Sequence, residues 1–143
     1  MYALSLGERT ASGYTIGSNG TLSPVPGSPF SLPGCCGFQY SVAIDPIHNF
    51  LFYLVGGNGF FGSGGLYITQ VRPDGSITAP GTNIDPVSLA PLSLALDPSY
   101  KFVYTCNIEG KPEVVSFGYT GSPISQQSTL RPAAFPVQIT ASP

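Results

Sequence analysis

Charge is what this chain has least of. Only 12 of its 143 residues are Asp, Glu, Lys or Arg, 8% against about 25% in an ordinary soluble domain. The net charge of −2 and five scattered basic residues exclude a nucleic-acid binder, which needs a basic patch to meet phosphates. Tryptophan is absent, and His48 is the only histidine. With no Cys-x-x-Cys spacing either, neither a metal site nor a cofactor is expected. No apolar run approaches the 18 or so residues of a membrane span. Met1 to Glu8 lacks the basic start and long apolar core of a signal peptide. Helices are also excluded. The longest stretch without Gly or Pro runs from Ser99 to Glu109 and is β-branched and aromatic in its middle.

What is present is turn-forming and apolar. Gly 18, Pro 15 and 27 Ser plus Thr supply loops and an uncharged polar surface. The 42% hydrophobic content and 17 Phe plus Tyr argue for a folded core over disorder. That low-charge surface suits an extracytoplasmic or secreted protein, whose export signal would lie upstream of this sequence. Cys35, Cys36 and Cys106 are too few for a disulfide framework. They read as small buried or idle thiols, with a bridge from Cys106 to Cys35 or Cys36 as the alternative.

An internal repeat fixes the architecture. Residues 41–55 read SVAIDPIHNFLFYLV and residues 93–107 read SLALDPSYKFVYTCN, with Ser, Ala, Asp, Pro and Phe at identical offsets. VQITASP, from Val137 to Pro143, aligns with LSLALDP, from Leu92 to Pro98. Pro46, Pro98 and Pro143 stand 52 and 45 residues apart, the period of four-stranded propeller blades. Between these copies, GYTIGSNGTL, QVRPDGSI and VSFGYTGSPI each carry a strand into an Asn-Gly, Asp-Gly or Thr-Gly hairpin turn. PGSPF and PGTNI follow two of them at matching places.

The expected fold is therefore all-β, a partial β-propeller of four-stranded antiparallel blades. The blades are 1–30, lacking its inner strand, then 40–79 and 92–128, with 137–141 the inner strand of a further blade. In the middle blade the strands are expected at Ser41–Ile44, Phe50–Val55, Leu66–Val71 and Ser76–Thr78. Small residues at Ser41, Ala43, Ser93 and Ala95 suit crowding near the axis.

At YTIGSNGTLSPVPGSPF and the two long repeat copies, the chain resembles the lactonase-type seven-bladed propellers, a family that includes bacterial 6-phosphogluconolactonase. The resemblance implies that fold and allows lactone hydrolysis. No catalytic residue of the phosphogluconolactonases can be matched here. A whole ring would need about twice this length at roughly 45 residues per blade. The expectation is a fragment of a longer propeller; copies closing a ring by exchanging the 137–141 strand are the alternative. Exposed blade edges then predict self-association.

Gly57 to Gly62 fits G-x-G-x-x-G, but SGGLYITQV after it is a strand where a nucleotide site needs a helix. His48 follows Asp45 by three residues, yet the repeat puts Tyr100 there, so the position serves the turn. Asn19-Gly20-Thr21 matches a glycosylation sequon that the hairpin turn already explains. The candidate ligand face is the set of loops after each second strand: Glu8, Arg9, Asn58, Asn107, Glu109 and Lys111. A binding or interaction module for a small molecule or protein partner is the favoured function. The alternatives are a lactone hydrolase and a structural cell-surface repeat.

Overall fold

The computed structural model describes residues 1–5, 7–32, 39–56, 64–78, 81–85, 91–107, 113–119, 125–130 and 140. Among these there is no helix, and twelve strands form three antiparallel sheets of four strands each. Sheet 1 holds β1 (Tyr2–Ser5), β2 (Thr10–Ile16), β3 (Leu22–Pro24) and β4 (Phe30–Ser31). Sheet 2 holds β5 (Gln39–Asp45), β6 (Phe50–Val55), β7 (Gly65–Gln70) and β8 (Thr82–Asp85). Sheet 3 holds β9 (Pro91–Leu96), β10 (Phe102–Asn107), β11 (Glu113–Gly118) and β12 (Ser125–Leu130). Sheets 2 and 3 run through their strands in chain order, and in sheet 1 both β3 and β4 pair with β2. The chain is thus all-β, a partial propeller of four-stranded antiparallel blades.

The continuous apolar run FLFYLV of β6 has a direct cause. A strand buried on both faces cannot alternate apolar with polar residues. Leu51, Tyr53 and Val55 point into a core with Ala11 and Leu32 of sheet 1. Phe52 and Leu54 point the other way, to Leu94, Val103, Val115 and Phe117 of sheet 3. Sheet 2 is therefore the filling between two others. Each fully buried side chain of this size stabilises by roughly 1.5–3 kcal/mol. The inner strands β5 and β9 lie side by side, where the Leu94 N–H donates to the Ser41 hydroxyl at 3.4 Å.

One expected strand moves. Ser76–Thr78 does not form the fourth strand of sheet 2; Ile77 makes only an isolated bridge to Val71, and Thr82–Asp85 takes the place. The tight turn at Asp74-Gly75 brings the chain back only at the hairpin mouth, with the Asp74 carboxylate accepting the Ser76 N–H at 2.9 Å. The chain then passes Gly81, where a Cβ would stand 2.5 Å from the Tyr53 hydroxyl, before pairing farther along β7. Sheet 1 divides its outer edge in the same way, β3 at the mouth and β4 beyond. The segments PGSPF and PGTNI thus lead into β4 and β8. Residues 137–139 and 141 lie outside the described residues, as do Cys35 and Cys36.

Candidate functional site

Contacts between sheets show which strand ends share a face. The Tyr2 hydroxyl, at the start of β1, donates to the Gly75 carbonyl in the β7–β8 hairpin turn at 2.5 Å. The Tyr119 hydroxyl, just past β11, donates at 3.1 Å to Asp45 at the end of β5. The Asp-Pro turns of sheets 2 and 3 and the hairpin turns of sheets 1 and 2 therefore lie at one end of the stack. The connection that follows β1 and the end of β10 lie at the opposite end.

That opposite end carries the predicted ligand residues that fall within the described chain. Glu8 and Arg9 sit in the β1–β2 connection, where the Ser5 hydroxyl donates to Glu8 Oε2 at 3.1 Å. Arg9 adopts φ 55°, a left-handed conformation that costs a non-glycine residue about 1–2 kcal/mol. Its carbonyl accepts the Leu32 N–H at 2.8 Å, which ties the connection to the end of sheet 1's outer strand. Asn107 is less of a loop residue than the sequence implies. It ends β10, only 4% exposed, opposite Glu113 of β11 and Pro91 of β9 beside a register shift. Glu113 is a carboxylate at this end that the sequence reading passed over. Asn58, Glu109 and Lys111 lie outside the described residues, as does the glycine-rich run 57–62. The segment after that run is the strand β7.

Among the described residues the best-connected titratable cluster lies at the turn end. Asp45 is fully buried. Its Oδ1 accepts the N–H groups of Ile47 at 2.8 Å and His48 at 3.1 Å. Its Oδ2 meets His48 Nδ1 at 2.6 Å and the Tyr119 hydroxyl at 3.1 Å. Burial pushes the carboxyl upward, but the hydrogen bonds from His48, Ile47 and Tyr119 win and hold it below the usual range. Burial and the facing Asp45 carboxylate raise the Tyr119 phenol. The His48 ring stands edge-on to Tyr119, centroids 6.2 Å apart.

The repeat partner differs. Asp97 is capped by the N–H groups of Ser99, Lys101 and Phe102, and the Ser99 hydroxyl donates to its Oδ2, the oxygen that in the first copy meets the His48 ring. The imidazole thus completes a turn and braces Tyr119. Among the described residues no group of three His, Cys, Asp or Glu could hold a metal ion. Cys106 is a fully buried free thiol that burial shifts upward, and nothing activates it.

No family model matches this chain, and no curated protein matches its sequence. Solved structures do match. A provisionally named 6-phosphogluconolactonase from Bacteroides uniformis superposes with TM-score 0.63 at 19% identity, over 91% of this chain and 39% of that one. Its counterpart from Bacteroides fragilis gives 0.68 at 17%, over 91% and 39%. The periplasmic gluconolactonase of Pseudomonas aeruginosa gives 0.64 at 20%, over 94% and 40%. The chain spans about two fifths of the length of these proteins. What this chain shares with them is the lactonase-like all-β fold.

Proposed function

We propose that this chain is a binding module whose ligand face is the end opposite the Asp-Pro turns. One observation carries the reading. Sheets 1 and 3 bring Glu8, Arg9 and Asn107 to the same end, in a chain with 8% charged residues. Asn58, Glu109 and Lys111 belong to the same connections by the repeat. Loops on a rigid sheet scaffold are where binding residues concentrate. The ligand class that suits so little charge is a small polyhydroxylated molecule held by hydrogen bonds, or an uncharged protein surface.

Calorimetric titration with gluconate and with D-glucono-1,5-lactone tests this. Saturable binding weakened at least tenfold by Glu8→Gln or Arg9→Ala is expected. No saturable binding, or binding indifferent to both substitutions, overturns it.

Lactone hydrolysis is the second reading, supported by the names of the proteins that share the fold. Against it, the one carboxylate–imidazole pair among the described residues, Asp45 with His48, stands at the other end and serves a turn. We expect no turnover of sugar lactones above the spontaneous rate. Turnover abolished by Glu8→Gln or Glu109→Gln would make the enzyme reading correct. A location outside the cytoplasm fits the low-charge surface and the periplasmic neighbour, and cell fractionation of the native host checks it.

A further inference from the structure

We propose that Asn19, in the hairpin turn of sheet 1, is a site of spontaneous deamidation whose aspartate product the turn accepts without rearrangement. Asn19 and Gly20 are exposed between β2 and β3, and β3 is exposed along its whole length. Gly20 has φ +83°, and no atom beyond its chain neighbours lies within 4 Å of where a Cβ would stand. Nothing therefore crowds its main-chain nitrogen. Asn19 Oδ1 accepts the Thr21 N–H at 3.1 Å and the Thr21 hydroxyl at 2.8 Å. Both donors draw electron density from Cγ and stand where the oxygen gathers negative charge during attack. One contact opposes the reaction: the Gly20 N–H donates to the Gly17 carbonyl at 2.9 Å. Only three residue pairs join β2 to β3, so that bond opens at little cost.

Water and hydroxide are the only co-reactants. Hydroxide takes the Gly20 N–H proton, and the nitrogen attacks Asn19 Cγ. The N–Cγ bond forms, the Cγ–Nδ2 bond breaks, and ammonia leaves with a proton from water. Water then opens the cyclic imide. Breaking the new N–Cγ bond gives aspartate; breaking the main-chain bond from residue 19 to Gly20 gives isoaspartate. Asn49 is the contrast within the same chain. It too has a positive φ, 59°, but Phe50 follows it, held in β6, and its side chain crowds the attacking nitrogen.

The corresponding turn of sheet 2 already contains the product residue. Asp74 Oδ1 accepts the Ser76 N–H at 2.9 Å and the Ser76 hydroxyl at 2.7 Å. The Gly75 N–H donates to the Arg72 carbonyl at 2.9 Å, as Gly20 does to Gly17. The bonds that close the two turns, Gly17 N–H to Thr21 and Arg72 N–H to Ser76, are both 2.8 Å, and Gly75 has φ +80°. An aspartate at position 19 therefore keeps every bond of its turn. The Ser76 hydroxyl and N–H hold the Asp74 carboxyl below the usual range, so the same pair of donors from Thr21 keeps the new carboxylate ionised at neutral pH. Deamidation thus adds a negative charge at the turn end of a chain with net charge −2. Isoaspartate instead lengthens the backbone inside a turn closed by two hydrogen bonds, and breaks them.

Peptide mapping by mass spectrometry, after the 143-residue chain has stood in mildly alkaline buffer, tests the proposal. Mapping separates Asn19 from Asn58, which also precedes a glycine and lies outside the described residues. Conversion at Asn19 is expected at least tenfold faster than at Asn49, rising in proportion to hydroxide concentration and slowed at least tenfold by Gly20→Ala. The comparison with Asn49 needs no variant that must fold. Conversion at Asn19 no faster than at Asn49 overturns the site. Asn19→Asp, made directly, should unfold at the same urea midpoint as the parent chain, with the Gly17 amide equally protected from hydrogen exchange. A lower midpoint, or an unprotected Gly17 amide, overturns the claim that the turn accepts the product.

Discussion

Among the described residues two hydroxyls stand buried without a partner, Tyr53 Oη and Thr105 Oγ1, and the repeat puts them at the same position of successive sheets. Each faces the preceding sheet from the second strand, where Leu51 or Val103 also packs. An unsatisfied buried hydroxyl costs about 1–3 kcal/mol, so Thr105→Val, which keeps the shape, should raise stability by about 1 kcal/mol in urea denaturation. At the turn end the opposite holds. Tyr119→Phe removes a hydrogen bond from a buried carboxylate and should cost about 1.5–3 kcal/mol at pH 7. The pH dependence follows from the lowered carboxyls of Asp45 and Asp97. Their stabilisation is complete above the unfolded carboxyl value of about 4 and is lost as pH falls through the folded values. Urea midpoints between pH 6 and pH 2 should show that loss. Tyr119→Phe should flatten it, because the hydroxyl is one of the groups that hold Asp45 down.

At the scale of the element, Gly81 explains how β8 reaches its place. A Cβ there would meet the Tyr53 hydroxyl at 2.5 Å and the Ile68 carbonyl at 3.0 Å. Gly81→Ala should therefore destabilise by about 2 kcal/mol, within the range for overpacking a tight site. In a Tyr53→Phe background part of that cost should disappear, since the nearest atom has gone. A thermal-denaturation double-mutant cycle measures the coupling, and strict additivity would show that the backbone contact alone sets the cost. Placement of β8 was not legible in the sequence. The Asp-Gly turn announced a hairpin, and the hairpin is there. How far its return leg stays paired depends on what fills the space beside Leu66–Ile68, which no local signal reports.

On the scale of the whole molecule, sheet 2 belongs to both apolar cores, while sheets 1 and 3 each belong to one. Amides of β6 and β7 should therefore exchange most slowly, and those of β3, exposed along its whole length, fastest. Native-state hydrogen exchange checks that order, and equal protection of β3 and β6 would contradict it. Phe52→Ala, which opens the core between sheets 2 and 3, should cost about 3–5 kcal/mol and be felt in both sheets.

The all-β class, the four-strand period and strand β6 could be read from the sequence alone. A strand packed on both faces must be apolar throughout, and Asp-Pro and Asp-Gly turns are local hydrogen-bonding devices that repeat wherever their residues do. The face bearing Glu8 and Arg9 was also legible, because loop order along a repeat sets the end from which each loop emerges. Tertiary structure alone decided the burial of Asn107 at a strand end and the seating of Tyr119 on Asp45. Tyr119 takes the position in its sheet that Val71 takes in sheet 2, both N–H groups donating to the carbonyl at the foot of the preceding strand. Only the approach of sheet 3 to sheet 2 turns that position into a joint, because a hydrogen bond across 74 residues depends on where two sheets meet and not on either local sequence.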